Sequence, residues 1–173
     1  IDGLVGGCFM VIIISSSFLV ESSILPLAGS IFGFLILNWY PSKVFMGDSG
    51  STFLGAVLTC LIFSSHDLVN SLALLLISLP LLGDSFTCIL RRFANGDNIF
   101  EAHKLHLYQR LYQGGWSHQK VSTIYILSTL ILSLAYFFFG LKMLLTTSIL
   151  ILISGFYLDK NKAVPFPNGN LNS

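Results

Sequence analysis

The sequence predicts an all-α fold: a polytopic integral membrane bundle with about six transmembrane helices. Its 173 residues are 54% hydrophobic and only 10% charged, with a mean hydropathy of +0.80. Soluble domains carry about 25% charged residues, and here the apolar residues also form long runs. The formal net charge of +1 gives no sign of nucleic-acid binding. We expect one membrane-embedded unit over residues 1–158 and a polar cytoplasmic tail over residues 159–173.

The predicted membrane spans are apolar runs separated by short polar segments. A span needs about 20 apolar residues, and the third run is short for that length. The fourth run carries Pro80, Gly83 and Asp84 in its second half. In chain order the runs cover residues 4–20, 24–37, 52–64, 68–89, 121–139 and 141–158.

Basic residues orient the spans, because cytoplasmic loops carry an excess of Lys and Arg. If the first span starts in the cytoplasm, Lys142 is the only basic residue outside. This orientation places three polar features on the cytoplasmic face: Asp2, the break at residues 38–51 and the segment at residues 91–120.

Two of these features place an aspartate beside glycine at the start of an apolar run. Asp2 precedes Gly3, and Asp48 follows Gly47. The N–H groups at a helix N-terminus attract anions, and glycine lets a ligand approach the backbone. A carboxylate beside an anion site indicates a divalent cation between them. Alternatively, Asp48 or Ser49 only caps the helix.

The third feature concentrates His, Lys, Tyr, Gln and Arg over residues 103–110. His103 and His106 would share one face of a helix. Such a set suits phosphate binding and proton transfer. A zinc site is not expected, because the segment has neither a His-x-x-x-His pattern nor a cysteine pair. Alternatively, the histidines are interfacial polar residues.

The other polar and sulfur-containing residues of the spans have structural alternatives. Asp84 is an intramembrane carboxylate and therefore a functional candidate, but an ion pair with Arg91 or Arg92 would also explain it. That arginine pair itself is the kind of basic anchor found at the inner end of a span. The three cysteines, which lie in apolar runs and are interpreted as small core residues, are Cys8, Cys60 and Cys88.

Several motifs resemble one family. The sequence Val-Phe-Met-Gly-Asp-Ser-Gly-Ser at residues 44–51 resembles the central motif of the polyprenyl-phosphate N-acetylhexosamine-1-phosphate transferases, which include phospho-N-acetylmuramoyl-pentapeptide transferases. Ile-Asp-Gly-Leu at residues 1–4 resembles the end of another family motif. Residues 79–84, 91–92 and 103–111 resemble the branch that starts O-antigen chains, described as the Fuc4NAc or glycosyltransferase 4 type.

The resemblance implies transfer of an N-acetylhexosamine 1-phosphate from a UDP-sugar to undecaprenyl phosphate, with release of UMP. It implies Mg²⁺, with Mn²⁺ as an alternative, since both reactants are anionic. It also implies a multi-pass enzyme of the bacterial inner membrane that faces the cytoplasm and starts a lipid-linked glycan of the cell wall or lipopolysaccharide. A homodimer is left open.

The family pattern also implies roles for individual residues. Asp48 would be the magnesium ligand and, with His106, a catalytic residue. Phe45 would stack on the uracil ring. The remaining residues expected to bind substrate are Asp2, Asn38, His103 and Arg110. Phe45 as an interfacial aromatic and Asn38 as a helix C-cap are the alternatives.

The chain departs from the family pattern in two places. Tyr108 and Gln109 stand where many members have further histidines. The paired aspartates of the family belong to a preceding half that these residues do not include, so we expect the 173 residues alone to be inactive. A fragment of a secondary transporter and a non-catalytic membrane scaffold are the alternative functions.

Overall fold

The computed structural model describes residues 1–167, and all regular structure in this range is helical. A short 3₁₀ turn, Ser22–Ile24, joins the first two helices. The α-helices are α1 Leu4–Leu19, α2 Leu25–Asn38, α3 Gly47–Ser64, α4 Leu68–Ile77, α5 Leu79–Ala94, α6 Leu107–Gln113 and α7 His118–Asn161. The predicted all-α bundle is confirmed.

The length and hydropathy of the helices bear on how many can cross a bilayer. Among the described residues, α7 is the one single helix that is both long enough and apolar enough to cross a membrane. The helices α4 and α5 meet the same two requirements only when they are taken together as a bent pair. The helices Leu4–Leu19 and Ser22–Asn38 are apolar but shorter than a full span. The predicted apolar runs nonetheless correspond to α1, α2, α3, the α4–α5 pair and the two halves of α7.

The long helix α7 is two antiparallel halves that meet at Gly140. This residue has φ 74° and ψ −168°, a conformation that side chains other than glycine rarely adopt. Both ends of α7 contact α6, which is only about 10 Å long: the His118 ring lies 4.4 Å from the Tyr112 ring, and Asp159 binds Arg110. The chain therefore reverses at Gly140, as the separate runs 121–139 and 141–158 predict.

The predicted run over residues 68–89 does not form one continuous helix. This stretch forms α4 and α5, which are bent by 71° where they meet at Ser78. Pro80 has no N–H group to donate and is best accommodated in the first turn of a helix, where the structure places it. The bend lets α5 lie against α6, which it contacts through Asp84.

Buried apolar side chains of α1, α2, α3, α4 and α7 form the main core. Its fully buried members include Ile12, Ile13, Leu74, Ile77 and Leu132. A second core cluster joins α1 to α6 and to the start of α7, and its buried members are Leu4, Cys8, Leu111, Val121 and Tyr125. This second cluster holds together the end of the bundle where the predicted polar features lie.

The cysteines only partly follow the prediction of small core residues. Cys8 and Cys88 are buried, but Cys60 is exposed on α3. The outer face of α3 also exposes Phe53 and Phe63, so an apolar thiol there faces the same surroundings as these aromatic side chains.

Candidate functional site

Asn38 fixes the polar break to the start of α1. The Gly3 N–H donates to Asn38 Oδ1 at 3.0 Å, and Asn38 Nδ2 donates to the Val44 carbonyl at 2.7 Å. Gly3 has φ 73°, and a Cβ there would lie 2.6 Å from the Trp39 ring, so glycine is required. Asn38 is the last residue of α2 and is buried. Its visible contacts are structural, and its role toward a nucleotide remains a prediction.

Asp2 lies between the polar break and the start of α7. Its Oδ2 is 3.3 Å from His118 Nδ1 and accepts a hydrogen bond from the Ser42 N–H at 3.4 Å. Its carbonyl accepts from Ser122 Oγ at 2.6 Å. The predicted features at residues 2 and 38–51 therefore do come together, and α7 joins them.

His118 is a member of this cluster that the sequence interpretation missed. Its ring contacts Tyr40, with centroids 5.3 Å apart, and Tyr112, with centroids 4.4 Å apart. The available signal was its position: it opens the fifth apolar run on the face where the predicted orientation already placed Asp2.

Asp48 lies in the first turn of α3 and does not cap it. The N-cap is Met46, which makes no side-chain hydrogen bond to the helix. Within residues 1–167 the Asp48 carboxylate forms no ion pair, and it is exposed. Phe45, just before the helix, is 75% exposed. Both side chains are therefore free to meet a ligand, whereas the cap interpretation is wrong.

The donor chemistry of this helix start fits magnesium. Mg²⁺ takes oxygen ligands, keeps several of its waters and is often held by one or two carboxylates. Asp48 provides such an oxygen, and the uncapped N–H groups of α3 can face the anion that the metal carries. Asp2 is engaged by His118, which leaves Asp48 as the accessible carboxylate of the two.

Asp84 caps α6 from the neighbouring helix α5. Its Oδ1 accepts from the Leu107 N–H at 2.7 Å, and its Oδ2 accepts from the Tyr108 N–H at 3.5 Å and from the Tyr125 hydroxyl at 2.9 Å. The alternative of an ion pair with Arg91 or Arg92 is therefore wrong. A carboxylate at a helix N-terminus is favoured by the helix dipole.

We expect Asp84→Asn to destabilise the protein by about 2 kcal/mol, because an amide nitrogen would then face N–H and O–H donors in a buried place. Tyr125→Phe removes a single donor and should cost about 1 kcal/mol. Thermal unfolding of the purified protein in detergent measures both. An unchanged melting temperature for Asp84→Asn would contradict the capping role.

His103 and His106 lie side by side, but not on a helix. Residues 102–105 are irregular, and His106 directly precedes α6. Their ring centroids are 5.0 Å apart. The prediction of a shared helix face is wrong, because Asp84 caps the helix only from Leu107 onward. The two imidazoles meet through the turn of the loop.

Burial lowers the pKa of His106; Asp84 opposes this effect and Arg92 adds to it. The pKa of His103 is also lowered, by burial and then by Arg92 and His106. Both imidazoles are therefore neutral at pH 7, with one ring nitrogen each able to accept a hydrogen bond or bind a cation. His106 Nδ1 is buried without a hydrogen-bond partner and lies 3.9 Å from Asp84 Oδ1.

The two buried arginines near α6 form ion pairs or hydrogen bonds with groups of the protein itself. Arg110 is buried, pairs with Asp159, and donates to the carbonyls of Leu105 at 3.1 Å and Val164 at 2.8 Å. Arg92 is also buried and donates to loop carbonyls, so it is no anchor at the membrane interface. Substrate binding by Arg110 stays a prediction. Of the predicted tail, residues 168–173 lie outside the described range.

The chain has relatives among named enzymes. Residues 1–66 match the family described as Glycosyl transferase family 4. A phospho-N-acetylmuramoyl-pentapeptide-transferase of Carboxydothermus hydrogenoformans is 33% identical over 147 residues, which cover 77% of this chain and 44% of the relative. A probable undecaprenyl-phosphate N-acetylglucosaminyl 1-phosphate transferase of Bacillus subtilis is 34% identical over 146 residues, covering 81% of this chain and 38% of the relative.

A third relative is a decaprenyl-phosphate N-acetylglucosaminephosphotransferase of Mycobacterium leprae, which is 36% identical over 111 residues, covering 55% of this chain and 28% of the relative. The chain thus spans less than half the length of these curated relatives. No solved structure matches it.

The helical bundle, the apolar composition and these matches define a polytopic membrane protein. The chain belongs to glycosyl transferase family 4, the family of the polyprenyl-phosphate N-acetylhexosamine-1-phosphate transferases.

Proposed function

We propose that the protein containing this chain transfers an N-acetylhexosamine 1-phosphate from a UDP-sugar to undecaprenyl phosphate and releases UMP. The observation that carries this proposal is the first turn of α3, where Asp48, an exposed carboxylate with no ion pair within residues 1–167, adjoins uncapped backbone N–H groups and the exposed ring of Phe45. A metal-bound phosphate and a flat base are the kinds of group that such a surface can bind. The names of the relatives support a polyprenyl phosphate acceptor.

In this proposal Asp48 holds Mg²⁺, which supplies charge neutralisation between the two anionic reactants. Phe45 stacks on the uracil ring. His106, neutral at pH 7, accepts a hydrogen bond from a sugar hydroxyl or meets the phosphates, with His103 beside it. Asp2 and Asn38 hold the polar break in place through their contacts to His118 and Gly3.

A cavity between α5 and α7 offers a place for the lipid acceptor. Apolar side chains of both helices line it. Arg91 and Arg110 are also among its lining residues, and because both pair with Asp159, a lipid phosphate would have to share them with that carboxylate. We propose that the reaction takes place on the cytoplasmic face of the bacterial inner membrane, where the basic loops would lie.

The alternative of a secondary transporter is less well supported. Transporter sites lie near the bilayer midplane on discontinuous helices. Here α4 and α5 are bent, but the carboxylate on α5, Asp84, is used to cap α6. A scaffold would have no need for an unpaired carboxylate at the start of α3.

The test is a UMP-release assay on membranes from cells that express the complete gene encoding this chain. We expect UMP release to require both undecaprenyl phosphate and one of the UDP-N-acetylhexosamines. Adding EDTA should stop UMP release, and adding Mg²⁺ should restore it. Omitting the lipid acceptor is the control for hydrolysis of the UDP-sugar. Membranes that contain the folded protein but release no UMP with any UDP-N-acetylhexosamine would refute the proposal.

A further inference from the structure

A cluster of one thiol and two imidazoles lies where α5 faces the loop before α6. Cys88 comes from α5, and His103 and His106 come from the loop. One potential ligand atom from each residue lies within 4.8 Å of those of the other two. No pattern along the chain predicts this cluster, because Cys88 lies 15 residues before His103 and belongs to an apolar run.

The distances allow a tetrahedral zinc site once the loop closes onto α5. Zn–S bonds of about 2.3 Å and Zn–N bonds of about 2.0 Å place sulfur and nitrogen about 3.5 Å apart around the metal. Cys88 Sγ lies 3.9 Å from His103 Nδ1, and the potential ligand atoms of the three residues lie within 4.8 Å of one another, so an adjustment of up to about 1 Å is needed. At this separation the two atoms gain little from a hydrogen bond. The Leu105 N–H also approaches His103 Nδ1, at a long 3.4 Å.

A second observation points to a cation at the same place. His106 Nδ1 is buried and has no hydrogen-bond partner among the described residues, and the Asp84 carboxylate at 3.9 Å lies beyond hydrogen-bond distance. Buried polar atoms are normally satisfied. An unsatisfied nitrogen beside another imidazole and a buried thiol is a donor set that borderline-soft cations prefer.

The charges are partly offset. A zinc ion bound by one thiolate and two neutral imidazoles carries a net charge of +1. The Asp84 carboxylate beside His106 offsets this charge, while the Arg92 guanidinium, which is bonded to the carbonyl of Glu101, stays positive nearby. On binding, the Cys88 thiol loses its proton to solvent and the sulfur–metal bond forms.

We propose that Cys88, His103 and His106 form a zinc site, with water as the fourth ligand, that clips the loop before α6 to helix α5. The site is separate from the magnesium role of Asp48 but uses the two histidines that the proposed function places beside the substrate, so in the zinc-bound state the ligating nitrogen of His106 does not itself accept a hydrogen bond from a sugar hydroxyl. Metal binding can be measured without transferase activity. Because this metal binds the folded state, its stabilisation of the protein should grow with the logarithm of its free concentration once this exceeds the Kd.

The experiment titrates the chelator-treated protein, purified in detergent, with Co²⁺ as a spectroscopic probe for zinc. We expect one Co²⁺ per chain, ligand-field bands typical of a tetrahedral site and a thiolate-to-cobalt charge-transfer band. Zinc should displace the cobalt and raise the melting temperature. Cys88→Ser should abolish the charge-transfer band, and His103→Gln should weaken Co²⁺ binding at least tenfold.

Cys60→Ser is the matched control, because Cys60 is exposed on α3 and belongs to no such cluster among the described residues. It should retain the full spectrum and the full zinc-dependent stabilisation. Wild-type protein that binds Co²⁺ without a charge-transfer band, or does not bind it, would overturn the proposal even if Cys88→Ser failed to fold. A band that persists in Cys88→Ser but disappears in Cys60→Ser would overturn it as well.

Discussion

Asp48→Asn should abolish UMP release while leaving the fold intact. The carboxylate is exposed and forms no ion pair in residues 1–167, so its loss should change the free energy of unfolding by no more than about 0.5 kcal/mol. If it holds the metal that neutralises the reacting phosphates, losing it removes several kcal/mol of transition-state stabilisation. A loss of about 4 kcal/mol corresponds to a rate about 1,000-fold lower.

The measurement pairs initial rates of UMP release with thermal unfolding in detergent, using the complete gene product. Asp97→Asn is the matched control, because Asp97 is also an exposed aspartate on a segment that the predicted orientation places in the cytoplasm. It should retain near-normal turnover. Near-normal turnover of Asp48→Asn would mean that this carboxylate serves neither metal nor substrate. A large drop in its melting temperature would instead indicate a structural role.

The sequence was informative where chemistry depends on neighbours along the chain. The pairs Asp2-Gly3 and Gly47-Asp48 predict helix starts that bear a carboxylate, and the structure has a helix start at each. The apolar runs predict the helices because burial in a bilayer demands long apolar segments. Gly140 between two runs also predicts the reversal within α7.

The sequence was not informative where a contact joins distant residues. Asp84 could have paired with the arginines about two turns along its own helix, yet it caps α6, and only the folded chain decides between them. His118 meets Asp2 across a separation of 116 residues. The pattern around His103 and His106 did not predict zinc, and spacing along the chain cannot show that Cys88 on α5 passes beside this loop.

The bend between α4 and α5 is an intermediate case. Pro80 was visible, but a proline in an apolar run permits a kink, a new helix start or a continued membrane helix. In the structure a new helix starts at this point, bent by 71° from the helix before it. This choice depends on the packing of Leu74 and Ile77 in the main core, which no local pattern contains.

Arg110→Met should destabilise the protein by about 3 kcal/mol or more. The guanidinium is buried, pairs with Asp159, and holds the carbonyls of Leu105 and Val164. It therefore ties α6 to the end of α7. Removing one member of a buried ion pair costs about 3–5 kcal/mol, and because Asp159 keeps its second partner, Arg91, the cost should lie at the lower end of this range. Thermal and denaturant unfolding in detergent measure the change.

The partner variants separate this role from the predicted contact to substrate. Asp159→Leu should destabilise the protein at least as much as Arg110→Met, because it leaves Arg110 buried with its charge uncompensated. Lys160→Ala is the control: this position is the exposed neighbour of Asp159, and the free energy of unfolding should change little. The double variant Arg110→Met/Asp159→Leu should recover part of the loss, since neither charge is then left unpaired. If Arg110 binds substrate instead, Arg110→Lys would raise the KM for the UDP-sugar or lipid without lowering the melting temperature. A lower melting temperature with unchanged KM would assign Arg110 to the architecture of the site, and its place among the substrate-binding residues would have to be withdrawn.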